Sequence, residues 1–107
     1  MESMLISQAL RELKEGLKAL YGRRLEGLYL YGSYARNAES VDSDVDVLAV
    51  LRGAVNAGEE ISQLNPVVST ICLKYDLLIS ICPVSVESLQ TRQSPFLINV
   101  RTEAIAI

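Results

Sequence analysis

The chain has 107 residues, half of them hydrophobic and about a fifth charged, with a formal net charge of −3. That is one domain's worth of chain with one core, and it shows no basic stripe of the kind that wholesale nucleic-acid binding needs. There is no histidine, which sets aside His-based triads and most zinc sites. No apolar run approaches the ~18 residues of a membrane span. The N-terminus mixes acids and bases every few residues and lacks the pattern of a signal peptide. Cys72 and Cys82 sit in apolar contexts and read as buried free thiols, which fits a reducing cytoplasm.

In chain order, Ile6, Ala9, Leu10, Leu13, Leu17 and Leu20 recur at three- and four-residue steps, predicting a helix over residues 4–21. Ser3 is its expected cap and Gly22 its expected end. Residues 25–31 read as a strand, broken by Gly32-Ser33. A short helix capped by Ser33 is expected over residues 34–36, then a polar loop over residues 37–43. Residues 44–51, dense in Val and Leu, predict a second strand. Asn56 and Glu59 have capping-box spacing for a helix over residues 57–75, in which Pro66 forces a kink or a second start. Residues 76–85 read as a third strand, and Pro83 suggests an edge or a bulge. Ser85 caps a short helix to about residue 92, Ser94-Pro95 starts another over residues 95–104, and the closing AIAI predicts a last short strand. Alternating helices and strands without repeats define an α/β fold: a mixed sheet of about three to five strands flanked by helices, as a single domain over residues 1–107.

The chemistry concentrates in LYLYGSYARNAESVDSDVDVLAV, residues 28–50. With period-two alternation, Asp44 and Asp46 share a face with Leu48 and Val50, while Val45, Val47, Ala49 and Leu51 take the other. Two carboxylates roughly 6–7 Å apart on one strand repel by about 2–3 kcal/mol. A hard cation between them reverses that sign, and Mg²⁺ needs only one or two carboxylates alongside water and phosphate oxygens. Upstream, Gly32 permits a tight turn and close backbone approach, Ser33 offers a hydroxyl, the following N–H groups open a helix start that favours an anion, and Arg36 can add a cation. A phosphate grip beside a cation grip is the equipment of phosphoryl or nucleotidyl transfer. Asp76 is the candidate third carboxylate; if the third strand is shifted, Ser80 or Cys82 takes that position and the site has two acids. An EF-hand reading of Asp42, Asp44 and Asp46 fails, because Val47 and Gly53 stand where that loop requires Gly and Glu.

Gly32-Ser33, ten residues, then Asp44-Val45-Asp46 resembles the GS-x10-DxD signature of the minimal nucleotidyltransferases, the MNT-type members of the DNA polymerase β-like superfamily. Tyr34 stands where Arg is common in that family, and Asn37 where Gly is common. The resemblance implies a nucleotidyltransferase fold and transfer of a nucleoside monophosphate, AMP from ATP, to a hydroxyl. Gly32 and Ser33, with Arg36, would bind the triphosphate; Asp44 and Asp46, with Asp76 as a third ligand or base, would hold one or two Mg²⁺. Many short members pair as antitoxins with a HEPN-type toxin and adenylylate its tyrosine, so a partner protein and a homo- or hetero-oligomer are expected, with no membrane and no direct nucleic-acid contact. The competing reading is a module of the same fold that neutralises its partner by binding alone.

Overall fold

The computed structural model describes residues 2–32, 44–91 and 95–107. Helix α1, Glu2–Tyr21, leads through a 3-10 turn, Gly22–Arg24, into strand β1, Leu25–Tyr31. Strand β2, Val45–Leu51, is followed by α2, Ala57–Tyr75, and β3, Ile79–Ser85. Two short helices, α3, Val86–Thr91, and α4, Pro95–Glu103, precede β4, Ile105–Ala106. The sheet has the order β3-β2-β1-β4. β2 runs antiparallel to β1 and parallel to β3, and β4 is antiparallel to β1. The expected mixed sheet flanked by helices is therefore present, with four strands among the described residues.

Each face of the sheet has its own apolar cluster. On one, Ala9, Leu13 and Leu17 of α1 and Leu64, Val68 and Ile71 of α2 pack on Leu28, Val45, Val47, Ala49, Leu51 and Ile79. On the other, Val100 of α4 and Leu89 of α3 join Leu48, Val50, Tyr29, Tyr31, Cys82 and Val84. The alternation expected of β2 is thus observed residue by residue, because each strand position must satisfy one of two buried layers. Full burial of each leucine in these layers contributes about 1.5–3 kcal/mol. Gly16 has a packing reason: a Cβ there would fall 2.7 Å from Cγ1 of Val67, so its bareness lets α1 lie close on α2. The cysteines are free thiols, half-buried rather than fully buried, and they belong to opposite faces of the sheet, which keeps them apart.

Caps and breaks set the boundaries. Gly22, at φ +57°, ends α1 as expected. α1 starts at Glu2, so Ser3 lies within the helix instead of capping it. The Asn56 side chain accepts a hydrogen bond from the Glu59 N–H at 3.1 Å, as its capping spacing predicts, and Ser85 Oγ does the same for the Ser88 N–H at 3.0 Å. α2 continues through Pro66 as one helix, with no second start; Thr70 donates its hydroxyl to the Pro66 carbonyl at 2.8 Å. Pro83 does lie on an edge strand, β3.

Two strand boundaries differ from expectation. β2 begins at Val45, with Asp44 just before it. The larger shift is in the third strand, which begins at Ile79 and not at residue 76. Asp76 is left-handed, φ 53° and ψ 50°, and caps the end of α2 with its own N–H donating to the Cys72 carbonyl. A residue so wound cannot continue an extended chain, so residues 77–78 are spent leaving the helix.

Candidate functional site

Four of the expected site residues fall within the described chain: Gly32, Asp44, Asp46 and Asp76. Ser33 and Arg36, together with the short helix expected after Gly32, lie outside the described residues. Because β1 is antiparallel to β2 and β3 parallel to it, the end of β1 and the starts of β2 and β3 meet at one end of the sheet. Gly32, Asp44 and Asp46 come together there by topology.

Gly32 follows β1 with φ +74°, in the left-handed region that favours glycine. A Cβ on it would run into Oδ2 of Asp46 and stand 3.2 Å from its Cγ. The turn and the carboxylate are therefore in direct contact, and only a residue without a side chain allows it. Asp46 is half-buried and Asp44 exposed.

The strand registers build a row across the sheet. Asp46 pairs with Tyr31 on β1 and with Ser80 on β3. One step further in, Leu48 pairs with Tyr29 and Cys82. Paired residues share a face, so Tyr31, Asp46 and Ser80 lie side by side. The phenol of Tyr31 is pushed up to about 12, by burial first and then by Cys82 and Asp46, so it is neutral at ordinary pH. Burial also raises the Cys82 thiol, which leaves it a poor nucleophile. A cavity of about 180 Å³ opens on the same face beneath α4, lined by Tyr29, Leu48, Leu89, Val100, Arg101 and Ala104. It is small beside the roughly 300–1,000 Å³ of a typical ligand pocket.

Asp76, by contrast, precedes β3 and has no place in this row; the register puts Ser80 there, one of the two alternatives the alternation allowed. Among the described residues, no three His, Cys, Asp or Glu side chains gather as a metal-binding group. Asp44 and Asp46 still offer hard oxygen donors at the site's mouth, and the bare Cα of Gly32 leaves a cradle beside them that a Cβ would fill. That donor set suits Mg²⁺, which takes its other ligands from water and phosphate. Ser80 and Tyr31 are the neighbours that sequence reading did not put first. Their signal lay in the alternation, but the registers that bring Tyr31 and Ser80 to Asp46 are set by strand pairing between segments apart in the chain.

Residues 10–93 match the family model for the nucleotidyltransferase domain. That match, on this fold, defines a nucleotidyltransferase enzyme. MJ0141 of Methanocaldococcus jannaschii, assigned as a protein adenylyltransferase, is 34% identical over 77 residues, which span 72% of this chain and 77% of MJ0141. The chain belongs to the nucleotidyltransferase domain family.

Solved structures share the fold. The crystal structure of a protein from Sulfolobus solfataricus, assigned as a nucleotidyltransferase, aligns with a TM-score of 0.59 at 18% identity, covering 95% of this chain and 84% of that one. A toxin–antitoxin structure with AMP-PNP aligns with a TM-score of 0.61 at 15% identity, covering 88% and 68%. The toxin–antitoxin MntA-HpeT, with two aspartates changed to glutamate, aligns with a TM-score of 0.57 at 14% identity, covering 99% and 70%. Among the described residues, no helix is long and apolar enough to cross a membrane.

Proposed function

We propose that this protein transfers AMP from ATP to a hydroxyl, a tyrosine of a partner toxin of the HEPN type, and so acts as an antitoxin. The observation that carries the reading is the contact between Gly32 and the Asp46 carboxylate, with Asp44 two residues away on the same strand end. It sets a backbone turn able to approach phosphate against acids suited to a cation. In the reaction, the acceptor oxygen bonds to the α-phosphorus, the bond from that phosphorus to the bridging oxygen breaks, pyrophosphate leaves, and the hydroxyl proton passes to solvent.

Asp44 and Asp46 would hold Mg²⁺, and Gly32, with Ser33 and Arg36, the triphosphate. Bound there, Mg²⁺ supplies positive charge that offsets the charge of the phosphates. The protein's own part is to hold the acids on a rigid strand, to keep the turn bare, and to leave the mouth open to an acceptor. Three likenesses support this: the adenylyltransferase assignment of MJ0141, the AMP-PNP bound by one toxin–antitoxin relative, and the substituted aspartates of another, which are separated by one residue as Asp44 and Asp46 are.

The second reading is neutralisation by binding alone, and the placement of Asp76 at the end of α2, with Ser80 beside Asp46 in its stead, favours it. Co-expression with the partner toxin separates the two. Adenylylation predicts an AMP adduct on a toxin tyrosine by mass spectrometry, lost together with protection in Asp44→Asn and Asp46→Asn. Protection that survives both substitutions without an adduct contradicts it.

A further inference from the structure

We infer that Ser80 occupies the third ligand position of the cation site, so that this enzyme holds its cation with two carboxylates and a hydroxyl. The inference rests on the nucleotidyl-transfer reading and makes its metal site specific. Ser80 pairs directly with Asp46 in the parallel β2–β3 ladder. The flanking pairs confirm the face: Val45 and Ile79 are buried in the cluster beneath α1 and α2, and Leu48 and Cys82 in the opposite one. Ser80 must then project with Asp46, on a strand about 4.8 Å away. It is exposed, as Asp44 is, at the same end of the sheet.

No other position on β3 offers an acid, since Ile79–Ser85 contains none. Asp76 is four residues upstream, up to about 13 Å along the chain, and its left-handed backbone belongs to the end of α2. A hydroxyl is a neutral and weaker ligand for a hard cation than a carboxylate. The protein without nucleotide therefore binds its cation weakly, and the triphosphate brings the oxygens and charge that the third position lacks. Cation and nucleotide then bind with strong positive coupling.

The test is Mn²⁺ uptake by the nucleotide-free protein, read from the electron paramagnetic resonance of the free ion. Ser80→Asp is expected to tighten Mn²⁺ by ~10-fold or more, since affinity follows the count of charged ligands. Asp76→Asn is expected to leave it unchanged. Thermal unfolding checks folding: Ser80→Asp should melt lower than wild type in chelator and gain more on adding Mn²⁺. If Ser80→Asp does not tighten Mn²⁺, or Asp76→Asn weakens it as much as Asp46→Asn does, the assignment of Ser80 is wrong. If neither Asp44→Asn nor Asp46→Asn changes uptake, the cation site itself is wrong, and the nucleotidyl-transfer reading loses its metal.

Discussion

Replacing Gly32 with alanine tests two demands at once. The backbone there is left-handed, which costs an L-residue roughly 1–2 kcal/mol, and the new methyl would push on the Asp46 carboxylate. Gly32→Ala should therefore lower stability by only about 1–2 kcal/mol while cutting transfer by ~100-fold or more, since misplacement of about 1 Å at a reacting centre costs that much. Thermal unfolding and transfer rate, measured on one preparation, check the pair of outcomes. A variant that melts lower yet transfers AMP at the wild-type rate would mean that the turn does not serve the site. At this scale much was legible in the sequence: only glycine answers the need for a turn beside a carboxylate, and alternation fixed the face of Asp46. The third position was not legible. Residues 77–79 are Leu-Leu-Ile, and a continuous apolar run does not say where the helix stops and pairing starts.

The elements are held at the end away from the site by a buried polar cluster. Glu60, the first-turn acid of α2, is buried and accepts from Tyr21 Oη at 3.1 Å and from the Arg24 guanidinium at 3.0 Å. Arg24 also donates to the carbonyls of Arg52 and Ala54. The end of α1, the 3-10 turn, the exit of β2 and the start of α2 are thus tied together with every buried side-chain polar atom of the described residues satisfied. Burial first, then Glu60, pushes Tyr21 up to about 12, and Tyr31 is raised to the same level. Folding then favours the protonated phenols. Their contribution is complete below the unfolded value near 10 and is lost as pH rises through about 12. Urea unfolding midpoints should fall over that window, and Tyr21→Phe should make the fall shallower; an unchanged slope would contradict the assignment. The helices themselves were legible from their three- and four-residue spacing and caps, even across Pro66. What spacing did not carry was the left-handed end of α2 at Asp76, because a single Asp reads equally well as a strand start or a helix cap.

For the whole molecule, the sheet explains where the proposed site sits. Its two faces are committed to helices, and the end where β1 runs out and β2 starts is left for the proposed chemistry. The order β3-β2-β1-β4 puts β2 between two partners, so Asp46 is fixed by ladders on both sides, the rigid placement a transfer site needs. The architecture was legible from alternating element types; the pairing order was not, since it is decided by contacts between segments far apart in the chain. The central claim is that this strand end passes the α-phosphate of ATP to a protein hydroxyl. Incubating the protein with its partner toxin, Mg²⁺ and ATP labelled at either the α or the γ phosphate tests it most directly. The account predicts that α label enters the toxin and γ label leaves as pyrophosphate, with neither retained by the toxin in Asp46→Asn. Label transferred from the γ position, no label transferred by the wild type, or α label transferred undiminished by Asp46→Asn would contradict it.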